Sequence, residues 1–167
     1  MTDAQLFIRQ YLHSDHAQVC ALFAEGLRKL TYPEGFDIEP YIAESLESDL
    51  ADIESTYIRD SRSNFWVAIF ENRLVGTAAI KSIDPYTAEL RRMSVSQFRR
   101  RSKIGSTLLK TALEFSIEQR YKTLRLTTTT VQVPAIQLYK KFGFGEYGRT
   151  QYGLITAVHF SKDLGAL

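Results

Sequence analysis

The chain has 167 residues, enough for one domain with a real core and too few for two. Its 44% hydrophobic, 12% aromatic and 24% charged residues, with only 9 Gly and 4 Pro, exclude collagen-like, low-complexity and disordered classes. The net charge of +2 is too small to make a polyanion the default partner, and the single Cys20 excludes an internal disulfide and a Cys-rich structural zinc site.

Residues 6–11 read as a strand, followed by Ser14 or Asp15 as the cap of a helix with the apolar face Val19, Leu22, Phe23, Gly26, Leu27 and Leu30. After the turn-rich Tyr32-Pro33-Glu34-Gly35, residues 41–58 read as one or two further helices with an acidic face. Residues 65–70 and 74–80, joined by the Glu71-Asn72 turn, read as a hairpin, and 88–95 as a third consecutive strand. Residues 103–119 have the broad apolar face of a helix packed on a sheet, including Ile104, Leu108, Leu109, Ala112, Leu113 and Phe115. A strand at 123–129 completes a βαβ unit with parallel strands. Pro134 opens a short helix that ends near Gly143, and residues 145–160 supply two last strands. The fold class is therefore α/β, a single domain over 1–167 with a mixed central sheet flanked by helices. Nothing in residues 1–6 has the basic and apolar parts of a leader, and no stretch approaches the roughly 18 apolar residues of a membrane span. The expected location is cytoplasmic or nuclear, with no membrane partner.

Between the first strand of the βαβ unit and its helix lies Val95-Ser96-Gln97-Phe98-Arg99-Arg100-Arg101-Ser102-Lys103-Ile104-Gly105-Ser106. A loop entering a helix N-terminus offers unpaired N–H groups and the positive end of the helix dipole, a setting for a phosphate or pyrophosphate. Gly105 would let the backbone approach closely. The spacings of a P-loop and of a dinucleotide fingerprint are both absent.

Arg100-Arg101-Ser102-Lys103-Ile104-Gly105 resembles the [RQ]-x-x-G-x-[GA] pyrophosphate loop of the GNAT superfamily of acetyl-coenzyme A dependent N-acetyltransferases, with Lys103 where the middle Gly is usual. Downstream, Gln132-Val133-Pro134-Ala135-Ile136-Gln137-Leu138-Tyr139-Lys140-Lys141-Phe142-Gly143-Phe144 resembles that superfamily's N-x-x-A-x-x-x-Y-x-x-x-G-F segment, with Gln132 for Asn. Within the superfamily, Leu90-Arg91-Arg92-Met93-Ser94-Val95, the Thr128-x-Thr130-x-Gln132 run and Val158-His159-Phe160 look most like the camello-like members. Vertebrate camello-like proteins carry a membrane segment where this chain has the acidic stretch 33–64, so membrane attachment is not carried over.

The resemblance implies that Met93, Ser94 and Val95 offer strand backbone to the pantetheine arm of acetyl-CoA, that Arg100, Arg101, Ser102, Lys103, Ile104, Gly105 and Ser106 wrap its pyrophosphate, and that Gln132 helps to position it. Tyr139 takes the general-acid position at the departing sulfur, matched to a thiol with a pKa near 8.5. A strand N–H near Val95 would meet the oxyanion. The attacking amine must be neutral, which at pH 7 costs about 4.6 kcal/mol for a lysine-like amine and about 1 kcal/mol for an α-amine. Glu89, next to the sheet centre on the strand before the loop, is the candidate base, directly or through water; many members carry a carboxylate at the start of the following strand, where this chain has Thr127, so the resemblance does not fix the base position. The acceptor is expected near residues 30–36 and 145–152, walled by Tyr32, Phe36, Tyr147 and Tyr152. It is a protein lysine, an N-terminus or a small-molecule amine. Dimerisation through the last strands is common in the superfamily.

Other classes compete with this. Arg91, Arg92, Arg99, Arg100, Arg101 and Lys103 would alone suggest a solvated face or a nucleic-acid patch, although no nucleic acid is expected once the downstream segment is weighed. A non-catalytic coenzyme A-binding sensor or interaction module fits the same motifs. Nine acidic residues against Arg59 in 34–60 suggest a solvated face or a collar for a cationic amine. His13, His16 and His159 lack metal-ligand spacing, so no metal is expected.

Overall fold

A computed structural model describes residues 5–97 and 103–165. In chain order the elements are β1 (Leu6–Gln10), α1 (His16–Arg28), α2 (Glu39–Glu47), β2 (Asn64–Phe70), β3 (Arg73–Ser82), β4 (Thr87–Val95), α3 (Ile104–Glu118), β5 (Thr123–Thr129), α4 (Val133–Lys141), β6 (Gly145–Tyr152) and β7 (Ile155–Asp163). A short 3-10 turn, His13–Asp15, leads into α1, and a π-helical turn, Glu54–Ile58, precedes β2. The acidic stretch expected to be helical over 41–58 thus splits into one short helix and a separate turn. Asp15 does not cap α1 with its side chain. Its carboxylate accepts the Leu12 N–H at 2.8 Å and two Arg9 bonds at 2.7 and 2.9 Å, tying β1 to the turn.

The sheet runs β1-β2-β3-β4-β5-β7-β6, antiparallel throughout except for β4 with β5. Its hairpin β2–β3 closes on Glu71 and Asn72, both with positive φ (48° and 60°), the left-handed pair that a twisted two-residue loop requires. Apolar residues on one face pack against α3 and α4 (Ala78, Ile80, Leu90, Leu124 and Leu126 with Ile104, Leu108, Leu109 and Tyr139). On the other face α1 and α2 bury Val19, Phe23 and Ile42 with Leu50, Tyr57, Phe65 and Val67. The result is a three-layer α/β domain.

Two local devices set up the site. Gly76 lets α3 lie directly on β3, since a Cβ there would come within 2.8 Å of Leu108 Cδ1, 3.0 Å of Ile104 Cγ2 and 3.2 Å of the Ser94 carbonyl. On the same strand, Thr77 faces Ser94 and Ala79 faces Arg91 of β4, so Ala78 opposes both Arg92 and Met93 in a β-bulge. Arg92 there has φ 52°, a left-handed conformation that a non-glycine residue adopts only when its surroundings hold it. Thr77 Oγ1 donates to the Arg92 carbonyl at 2.7 Å and supplies part of that hold.

Candidate active site

Parallel pairing between β4 and β5 lasts for three residues, Thr87, Ala88 and Glu89 against Thr123, Leu124 and Arg125. From Leu90 onward β4 follows β3 through the bulge, while β5 stays paired to β7 along its whole length, and the two strands part. A cavity of about 900 Å³ occupies the split.

One wall of this cavity comprises Met93, Ser94 and Val95 of β4, Lys103, Gly105 and Ser106 at the start of α3, and Gln132, Ala135, Leu138 and Tyr139 around α4. Seven of the proposed carrier-binding residues therefore converge on one space. Ile104 does not join them, because it is 1% exposed and packs into the core beneath α3. Arg100, Arg101 and Ser102 lie outside the described residues. Lys103 has φ 63° at the N-cap, so the position where a glycine is usual has kept a glycine-like backbone under a lysine side chain. Gly105 has ordinary helical backbone. Its missing side chain instead lets α3 approach Leu138 and Val95, which a Cβ would meet at 3.3 and 3.6 Å.

Tyr139 is 5% exposed, its ring held edge-on by Phe144 with centroids 5.9 Å apart. Burial pushes its phenol above the ordinary value, so it stays protonated across the physiological range. Among the described residues its hydroxyl has no hydrogen-bond partner, and Tyr139 lines the cavity. Thr128 lines the same space, with a buried Oγ1 that no described residue bonds. A buried hydroxyl left unpaired costs about 1–3 kcal/mol, which a polar ligand in the split would recover. Apolar walls, a strand edge without a ladder, a helix start and an orphan hydroxyl together suit a long polar-apolar arm ending in a phosphate group. No cluster of three His, Cys, Asp or Glu side chains able to hold a metal occurs among the described residues.

The opposite wall is assembled from Phe23, Leu27, Tyr32, Phe36, Asp37, Tyr41, Glu44, Arg91, Arg92, Thr127 and Tyr152. Tyr32, Phe36 and Tyr152 stand where an acceptor wall was expected. Tyr147 does not, since its ring packs on His159 at 5.8 Å instead. Glu89 also falls outside the cavity lining. It sits on the last paired rung, and Arg91 Nε donates to its carboxylate at 2.5 Å. The acidic stretch forms no collar around the cavity. Of its nine carboxylates only Asp37 and Glu44 line it, while Glu39 is bound by Arg28, Asp60 by Ser63 and Asp49 by Arg92.

The Asp49–Arg92 pair is the feature that sequence reasoning missed. Arg92 donates twice to Asp49, with Nε at 2.9 Å, lies over the Phe23 ring at 4.8 Å, and shares Asp49 with the Tyr57 hydroxyl. Burial alone would raise the Asp49 carboxyl, but the Arg92 and Tyr57 hydrogen bonds and the arginine charge outweigh it and hold the group below the usual carboxylate range. The pair pins the bulged residue of β4 to the segment that follows α2. Charge alone was legible for it, because the partners are 43 residues apart.

A family model described as the Acetyltransferase (GNAT) family matches residues 24–144. The chain is 30% identical to the N-acetylaspartate synthetase of Danio rerio over 88% of its own length and 69% of that protein's. It is 36% identical to N-acetyltransferase family 8 member 3 of Rattus norvegicus over 74% of this chain and 56% of that one. Against the human N-acetylaspartate synthetase the matched stretch covers 41% of the relative's length. In fold, a GNAT-family acetyltransferase from Staphylococcus aureus Mu50 superposes with a TM-score of 0.81 at 22% identity, over 96% of this chain and all of that one. Ard1 from Thermoplasma volcanium gives 0.74 at 22% identity, over 95% and 97%.

Proposed function

The chain belongs to the GNAT family of acetyltransferases, and from that premise we propose that it moves the acetyl group of acetyl-coenzyme A onto a primary amine by direct attack, without an acetyl-enzyme. The observation that carries this is the split between β4 and β5, which collects the β4 edge, the start of α3 and Tyr139 around one cavity. When bound, the carrier supplies an activated thioester carbonyl. Met93, Ser94 and Val95 would hold its arm through main-chain groups, Lys103, Gly105 and Ser106 its pyrophosphate together with Arg100, Arg101 and Ser102, and Gln132 would help to place it. A β4 N–H near Val95 would meet the charge that develops on the carbonyl oxygen.

Burial modifies the role expected of Tyr139. A phenol raised above its ordinary value is a poor acid toward a thiol near 8.5 but a permanent hydrogen-bond donor. Tyr139 therefore stabilises the departing sulfur by donating to it, and the sulfur's final proton comes from water. For the acceptor, an α-amine is favoured. It is neutralised at a cost of about 1 kcal/mol against about 4.6 for a lysine-like amine, and the zebrafish relative is named for N-acetylaspartate, an acetylated α-amine.

Thiol release measured with acetyl-coenzyme A and a panel of amines tests this. Turnover that needs the amine, and that falls in Tyr139→Phe without loss of carrier binding, is the expected result. Carrier binding with no turnover of any amine would leave only a coenzyme A-binding module.

A further inference from the structure

Glu89 lies outside the cavity, and beside the two carboxylates that line it, Asp37 and Glu44, the acceptor wall holds another group suited to relieve the amine of its proton. Thr127 lies on β5 two residues beyond its last rung with β4 and lines the cavity. Its Oγ1 is 2.9 Å from Nδ1 of His159 on β7, and Nε2 of His159 is 2.7 Å from Oγ1 of Thr150 on β6. Strand alternation puts Thr127 on the opposite sheet face from Leu126, which packs with Tyr139. Thr127 and Tyr139 thus approach the split from opposite faces of the sheet.

A neutral imidazole has one donor and one acceptor nitrogen. The arrangement is satisfied when the Thr127 hydroxyl donates to Nδ1 and Nε2–H donates to Thr150, a tautomer assigned from the hydrogen-bond partners. Around His159, Tyr147 of β6 stacks on the ring, and Arg125 of β5 lies over Tyr147 at 5.8 Å. Glu146 and Arg149 on β6 pair with each other at 2.5 Å. Among the described residues no carboxylate bonds the imidazole.

We propose that Thr127 and His159 form a proton relay that prepares the acceptor amine, an inference that rests on the function proposed above. An ammonium N–H bond breaks and its proton goes to Thr127 Oγ1. As it does, the threonine's own proton passes to His159 Nδ1. The amine keeps its lone pair, the threonine ends as it began, and His159 leaves as an imidazolium with Nε2–H on Thr150. Water on the exposed face around Thr127 then takes the proton away. Imidazole suits this duty because it changes charge near neutral pH. Thr127 is the group that would touch the amine, and His159 acts through it.

The relay is tested by kcat/KM at neutral pH for the wild type, His159→Gln and Thr127→Val with primary amines of decreasing basicity, alongside acetyl-coenzyme A affinity and melting temperature. Strongly basic amines should lose about 10²-fold in both variants. Amines weak enough to be neutral in solution should lose less than about threefold, because no proton has to be removed before attack. Thr127→Ser should restore the rate, and the double variant should be no worse than either single one. A uniform loss across all amines would mean that the threonine–histidine–threonine ladder only ties three strands, and no loss would mean that the proton leaves by another path. Either result overturns the relay and leaves the acetyltransferase assignment intact. A wild type that acetylates no amine overturns both.

Discussion

The wall that would hold the carrier on the proposed function includes the β4 edge, unpaired to β5 from Leu90 onward, and the first turn of α3, brought close by Gly76 and Gly105. Across the split, the opposite wall is made of side chains from α1, the loop after it, α2, β4, β5 and β6, and the Arg92–Asp49 pair ties β4 to the segment that follows α2. A wall built from backbone can be written as a short contiguous motif, because its chemistry depends on where the chain turns. The other needs residues from distant segments, and it can vary without disturbing the first. On the function proposed above, the split between β4 and β5 separates the chemistry of the carrier from the choice of acceptor.

Removing the ion pair tests the independence of the two walls most severely. Asp49→Ala leaves the half-buried Arg92 without its carboxylate, and urea unfolding should show a loss of about 1–3 kcal/mol. Asp49→Asn, which keeps a hydrogen-bonding shape, should lose less. Both should impair amine KM more than acetyl-coenzyme A affinity if the walls are separable. Removing one hydroxyl from the other wall should act on turnover instead. Tyr139→Phe is expected to lower kcat by about 10²-fold, with stability changed by less than about 1 kcal/mol and carrier affinity unchanged. Gly76→Ala forces a methyl against Leu108, Ile104 and the Ser94 carbonyl, and should cost about 1–3 kcal/mol in denaturation experiments. Its effect on turnover should come through displacement of α3.

The smallest expected effect is in acid. Asp15 is held below the usual carboxylate range by the Arg9 hydrogen bond, working against burial, and Asp49 is held below it as described. A carboxylate lowered in the folded state adds stability above its unfolded pKa of about 3.9 and loses it as pH falls through the folded value. Wild-type stability should therefore be flat near neutrality and decline below about pH 4. The Asp49→Asn curve should decline less steeply, as followed by melting temperature against pH.

The strands and helices were legible because each is a local pattern. The apolar runs 65–70 and 74–80 around Glu71-Asn72, the 3.6-residue face of α3 and the Pro134 start all carry their own signals. Met93, Ser94, Val95, Lys103, Gly105, Ser106, Gln132 and Tyr139 were singled out by the family resemblance, and the fold brings all eight to one cavity. The bulge at Arg92 and Met93 was not legible, since a register shift depends on the partner strand and leaves no composition mark. For the same reason Arg92 read as one more charge in a basic run. Glu89 and seven of the nine carboxylates of the acidic stretch lie outside the cavity lining, a placement that the fold decides and that leaves no local mark in the sequence. The contact of His159 with Thr127 left no local signal either, since the two are 32 residues apart in the chain.

The most direct test of the central claim is a calorimetric titration of acetyl-coenzyme A into the purified protein, followed by thiol release on adding an α-amine. The account predicts saturable, stoichiometric binding, and thiol release that depends on both the amine and the Tyr139 hydroxyl. A folded protein that takes up no acetyl-coenzyme A would contradict it.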